Sequence, residues 1–186
     1  SIRNIDPICV RIGNDAVLTN FGVADEGGKV NINEITNEAV YALVKSLVQT
    51  AGDVDAVKAE KITACIADWI DVDDQARANG AENSHYVAQN PPYNCHNGKL
   101  TCLEELSIVK GIDAEIYESI SGYVTVYGTN CGVNINTAEP AVLRALALAR
   151  KDTQEVYAEG FVRRILEFRA EGKTFPYLDN RKIRML

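Results

Sequence analysis

One stretch occurs twice in this chain, and the duplication limits what it can fold into. Residues 30–43 read VNINEITNEAVYAL and residues 133–146 read VNINTAEPAVLRAL. They agree at Val30/Val133, Asn31/Asn134, Ile32/Ile135, Asn33/Asn136, Ala42/Ala145 and Leu43/Leu146. The correspondence resumes downstream, where Ile62, Ile66 and Trp69 stand opposite Phe161, Ile165 and Phe168. Self-similarity of this kind marks each copy as one supersecondary unit. The unit reads as a short extended VNIN piece, a helix, a connection and a second helix.

Around the repeat the local signals are clear. ICVRI (8–12) alternates, Gly13-Asn14-Asp15 is turn chemistry, and AVLTNFGVAD can pair back as a second strand. Asp25-Glu26-Gly27-Gly28 makes another turn. The first repeat helix is expected to begin near Thr36, a good N-cap. Val40, Leu43, Val44 and Leu47 mark its buried face. In the second copy Pro140 suits the first helical turn, where its missing N–H costs little. A second helix is expected over about 57–70 with Ile62, Ile66, Trp69 and Ile70 inward, and its counterpart over about 154–170. LEELSIVKGIDAEIYESI reads as two short helices bent at Gly111, and YVTVYG (123–128) as a strand. The tail EGKTFPYLDNRKIRML has no clear periodicity, so the chain reads as cut at its C-terminus.

The chain has 186 residues, 46% apolar and 24% charged, with a net charge of −7. That balance opposes a polyphosphate partner, which normally meets a basic face, and tolerates cations. No apolar run approaches the ~20 residues of a membrane span. Ser1 opens the chain without a signal-peptide pattern, as in a processed or excised piece. Five cysteines (Cys9, Cys65, Cys95, Cys102, Cys131) leave at least one unpaired in a monomer. Cys95 and Cys102 flank HNGKLT, a loop able to close as a disulfide in an oxidising compartment. The alternative is that they are small buried or neutral residues. Cys95-His96 lacks the second half of a zinc arrangement, so zinc is set aside.

The long polar connection 71–101 is unusual inside a compact domain, where such a loop is functional or tied down. It opens DWIDVDDQARANGAENSHY, with Asp71, Asp73 and Asp74 clustered and Glu82 placed to fold back on them. Counted from Asp71, the spacing approaches an EF-hand loop. Ala76 stands where that loop needs glycine, and Gln75 occupies the fifth position, so the motif fails. Crowded carboxylates still need neutralising, and oxygen ligands suit Ca²⁺. A solvated acidic turn with Arg77 as counter-charge is the other reading. Asp68, on the helical side, reads as a cap or ion-pair partner rather than a ligand.

Catalytic signatures are missing. The two histidines, His85 and His96, share the polar loop, and there is no G-x-S-x-G, P-loop or G-x-G-x-x-G after a strand. The reading is of a non-enzyme with no catalytic residues.

Two resemblances follow from these strings. VNINTAEPAVLRAL with EGKTF, and TCLEELSIVKGIDAEI, resemble halves of the helix-hairpin-helix modules of DNA-uptake proteins. Only Lys110-Gly111-Ile112-Asp113 matches their glycine hairpin, so a DNA-binding module is the alternative reading. The ordered series DEGGKVNIN, ADWIDVDD, GAENSHY, NPPYNCHNGKL, LEELSIVKGI, YVTVYG and VNINTA covers roughly residues 25–145. It resembles the K-type minor pseudopilins of bacterial type II secretion (general secretion pathway protein K).

This resemblance implies a mostly helical α+β fold, with two sterile-alpha-motif-like (SAM-like), helix-hairpin-helix-like subdomains set into a small pilin-like part. On it, residues 1–24 are a strand hairpin of the pilin-like region, 25–122 the first helical subdomain, and 123–186 a second, truncated one. It implies a structural subunit at the tip of the periplasmic pseudopilus, supporting protein export beside I-type and J-type minor pseudopilins. Nucleic acid is not an expected partner. The family's anchor in the bacterial inner membrane is an N-terminal helix that this chain lacks. The resemblance also implies bound calcium, at Asp71, Asp73, Asp74 and Glu82.

Overall fold

The computed structural model describes residues 8–12, 16–20, 25–129, 131–150 and 153–176. The expected turn at 13–15 and most of the C-terminal tail lie outside them. β1 (Ile8–Ile12) and β2 (Ala16–Asn20) form an antiparallel hairpin, Ile8 opposite Asn20 and Ile12 opposite Ala16.

The rest is α+β and mostly helical. β3 (Val30–Asn31) leads through a 3₁₀ turn to α1 (Glu38–Ala51) and α2 (Ala56–Ile70). After the acidic loop and short α3 (Asn83–Tyr86) come a 3₁₀ helix (Leu103–Ile108), α4 (Ala114–Ser121) and β4 (Val124–Thr125). The second copy supplies α5 (Pro140–Leu148) and α6 (Glu155–Ala170). α1 packs on both α2 and α5, and α5 on α6. One core, from Val30 to Ile165, runs through both copies.

Local chemistry explains the boundaries. α1 is capped by Asn37, one residue beyond the expected Thr36, its side chain accepting from the Ala39 amide at 2.9 Å. Asp55 caps α2 by accepting from Val57 and Lys58, both at 2.8 Å. Pro140 opens α5. At the bend between the two short helices Gly111 has φ +89°, a conformation costly for residues with a side chain.

The sequence repeat is a repeat of hydrogen bonds. Asn31 Oδ1 accepts from the Asn33 amide at 3.1 Å, and Asn134 Oδ1 from the Asn136 amide at 3.1 Å. The Asn33 side chain then clasps the backbone of Leu100, accepting from its N–H at 2.7 Å and donating to its C=O at 3.0 Å. Asn136 clasps Phe175 in the same way, at 2.7 and 3.1 Å. Each VNIN turn therefore pins the segment that follows its own second helix.

Two expectations change. The strand expected over 123–128 shrinks to Val124–Thr125, paired in parallel with β3. The carbonyls beyond it go elsewhere: Asn33 Nδ2 donates to Val126 O at 3.1 Å and Asn31 Nδ2 to Gly128 O at 2.9 Å. The copies also differ in cover. Ile62, Ile66 and Trp69 are buried, whereas Phe161 is 38% exposed and Phe168 half-buried against Phe175. Cys65, Cys95, Cys102 and Cys131 are free thiols, the first two buried.

Candidate metal site in the acidic loop

The C-terminal part of α2 is enclosed on every side, and residues 62–70 are all buried. A helix wrapped this fully is expected to be apolar all round. Asp68 is the exception, a carboxylate with no solvent exposure in the middle of ITACIADWI. The loop after α2 folds back over this face. Trp69 meets Tyr86 edge-on at 4.8 Å between ring centroids, with Tyr93 and His96 farther out. That aromatic packing fixes the far arm of the loop and brings Glu82, at the start of α3, over the end of α2.

Asp68, Asp71 and Glu82 converge there, each offering a carboxylate oxygen within 4.8 Å of the other two. Arg77 partly neutralises the group. Its guanidinium donates to Asp68 Oδ1 at 2.7 Å and also to Asp71 Oδ2. Its backbone N–H donates to Asp68 Oδ2 at 3.1 Å. The backbone closes in as well: a Cβ at Gly80 would fall 1.8 Å from Asp68 Oδ2, so no residue but glycine fits there without movement. Burial lowers the Arg77 pKa, but its hydrogen bonds to Asp71 and Asp68 outweigh that and hold it above its usual value.

Charge and hydrogen bonding are left incomplete. Three carboxylates face one guanidinium. Asp71 Oδ1 and both oxygens of Glu82 are buried and accept no hydrogen bond. Asn97 Oδ1, across the loop, is in the same condition. Burial, with Asp68, Asp71 and Asp74 around it, pushes the Glu82 carboxyl up to about 7. Buried oxygens without donors are costly, and a hard cation is what such a set can accept.

Of the four residues singled out in the sequence, Asp71 and Glu82 enter this cluster. Asp73 and Asp74 are exposed and turn to the loop itself. Asp73 Oδ1 accepts from the Gln75 amide at 2.8 Å, and Asp74 Oδ1 from Asn97 Nδ2 at 3.0 Å. Asp68 is the addition to the cluster, and Asn97 joins the loop through Asp74. Asp68 carries a signal visible in sequence, being the one charge in an otherwise apolar helix end. Asn97 carries none, since its relation to Asp74 spans 23 residues of loop. Of the histidines, His96 pairs with Glu105 at 2.6 Å, and His85 sits half-buried, burial and nearby Lys110 lowering its pKa.

Comparison with known proteins gives a consistent result. A protein-family model described as type II secretion system protein K matches residues 28–129. The type II secretion system protein K of Pectobacterium carotovorum is 42% identical over 81 residues, 43% of this chain and 25% of that protein. The Klebsiella pneumoniae protein of the same description is 38% identical over 96 residues, 50% of this chain and 29% of that protein. The chain thus spans under a third of the length of these curated relatives. In solved structures, the GspK-GspI-GspJ complex of the enterotoxigenic Escherichia coli type 2 secretion system contains a similar chain. It has TM-score 0.60 and 26% identity, covering 66% of this chain and 47% of that one. None of these relatives supports the DNA-binding alternative. With more than half of its length matched by the family model, this chain belongs to the type II secretion system protein K family.

Proposed function

We propose that this chain is the helical body of a non-catalytic minor pseudopilin, which helps build or cap the tip of the type II secretion pseudopilus. The observation that carries this is the match over residues 28–129, joined to the likeness to a chain solved in complex with GspI and GspJ. On this reading the protein acts in the periplasm, held to the inner membrane by a segment outside this sequence, beside I-type and J-type partners. Among the described residues no helix is long and apolar enough to cross a membrane. The two copies correspond to the SAM-like, helix-hairpin-helix-like subdomains that the resemblance implies. A body this wide favours the tip, because it would obstruct a subunit added above it. Co-expression of the longer protein's periplasmic region with cognate I-type and J-type proteins tests this. A stable ternary complex on size exclusion is expected; no association, or K-type subunits spaced along the shaft, would overturn it.

Within that role the acidic loop is a structural calcium site. Asp68, Asp71 and Glu82 would hold the ion. Asp73 and Asp74 shape the loop around it. The residues fit the ion because their donor set is all oxygen, negatively charged beyond what Arg77 offsets, and short of hydrogen bonds. Calcium bound there would fasten the 71–101 connection to the end of α2 and supply no chemistry of its own.

A further inference from the structure

The lysines of this acidic chain divide into two groups. Seven lie among the described residues: Lys29, Lys45, Lys58, Lys61, Lys99, Lys110 and Lys173. Lys29, Lys45, Lys99 and Lys173 are ion-paired, with Glu26, Glu60, Glu34 and Glu171. Lys58, Lys61 and Lys110 make no ion pair among the described residues, and all three line one open cavity of about 340 Å³. Lys58 and Lys61 lie three apart on α2, so they share a face. Lys110 reaches the cavity from the Gly111 bend.

No carboxylate lines the cavity. Its floor is Ile62, Cys65 and the backbone of Gly80 and Gly111. Burial pushes the Cys65 thiol up to about 11, so the sulfur there is uncharged. Of the carboxylates close by, Asp55 is committed to capping α2, and Asp68, behind Gly80, to Arg77. Three unpaired ammonium groups around a neutral, partly apolar floor form an anion-attracting pocket on a molecule of net charge −7. That contrast selects the ligand. A long polyanion such as duplex nucleic acid, or an anionic membrane, meets the repulsion of the whole surface as well as the pocket. A side-chain carboxylate on a flexible stem meets chiefly the three lysines at short range, because Asp55 is held by its amides and Asp68 by Arg77, and its methylenes can lie on Ile62.

We infer that the Lys58–Lys61–Lys110 pocket is a docking site for the carboxylate side chains of an acidic polypeptide segment. It backs onto the calcium cluster through Gly80, whose other side faces Asp68, and uses none of that cluster's carboxylates.

Fluorescence anisotropy with a labelled octaglutamate peptide at low ionic strength tests the assignment. Saturable binding that weakens with salt is expected. Lys61→Glu or Lys110→Glu should lower the affinity at least tenfold, while Lys173→Glu, outside the pocket, leaves it within twofold. The substituted lysines are exposed, and thermal melts would verify that the variants fold. No binding to the peptide, equal losses from Lys173→Glu and Lys61→Glu, or tighter binding of inorganic phosphate than of the peptide would each overturn the inference.

Discussion

Glu82 is the residue on which the loop turns. It is buried, its carboxylate oxygens lack donors, and three aspartates surround it. Its pKa in the fold, about 7, lies above the ordinary 4.5, so the fold favours its protonated form. That contribution is fully present below about pH 4.5 and is lost as pH rises through 7. In chelator the wild type should therefore lose stability from pH 5 to 8 relative to Glu82→Gln. With millimolar calcium the order reverses. A ligand at ~100 times its dissociation constant adds about 2.7 kcal/mol, which the wild type should gain and Glu82→Gln and Asp71→Asn should not. Differential melts with magnesium as control read this directly. An identical melting temperature with and without calcium would return the loop to a solvated acidic turn. The cluster was half legible in the sequence: crowding along the chain pointed to Asp71, Asp73, Asp74 and Glu82. Which of those turn inward depends on how the aromatic residues Trp69, Tyr86 and Tyr93 fold the loop back, a long-range outcome that spacing does not encode.

At the level of elements the repeat was the most legible feature, because helical periodicity and cap chemistry are local. Helices α1, α2, α5 and α6 fall within a few residues of their expected bounds. The strand at 123–128 was misjudged because alternation in YVTVYG reports β propensity, whereas Asn31 and Asn33, far away in sequence, take up the carbonyls that would have extended it. The paired asparagine clasps were not legible, since VNIN does not say what its second asparagine holds. They also carry a prediction. Asn33→Ala leaves the buried Leu100 N–H and C=O without partners, at roughly 1–3 kcal/mol for each unsatisfied group. A loss on the order of 3 kcal/mol should lower Tm by about 6–12 °C. Asn136→Ala removes the equivalent clasp at a partly buried position and should cost about half as much. Asn33→Asp should do no better than Asn33→Ala, because a carboxylate cannot donate to Leu100 O or Val126 O. Comparable losses at the two positions would mean that burial does not set the cost.

On the scale of the whole molecule, the copies are joined by a polar seam. Asp25 Oδ2 accepts from Thr137 Oγ1 at 2.6 Å and Asn134 Nδ2 at 2.8 Å, while the Asn134 amide donates to Gly27 O at 2.6 Å. Hydrogen bonds from Thr137, Gly27 and Asn134 hold the Asp25 carboxyl below its usual range. A lowered pKa gives stability that is present above about 3.8 and lost as pH falls through the folded value. Wild type should therefore exceed Asp25→Asn in melting temperature at pH 6, and the gap should narrow below pH 4. A gap unchanged by acid would show that the seam does not depend on the charge.

The parallel pairing of β3 with β4 has a mechanical consequence. Val30 lies beside Val124, and the Val30 amide donates to Tyr123 O at 2.9 Å. Because the two strands run in the same direction, the polypeptide enters the first copy at one end of the pair and leaves it at the other, closing everything between into a lobe. Neighbouring strands sit about 4.8 Å apart, and pulling the two flanks of a parallel pair slides one strand along the other. Tension on the flanking chain would load the pair in shear, with the packing of α1 on α5 sharing the load. Lengthening the lobe's loops would cost little, since closure entropy grows only with the logarithm of length. Because α1 also packs on α5, the lobe can change its surface, and so its partners, only on the faces away from that contact.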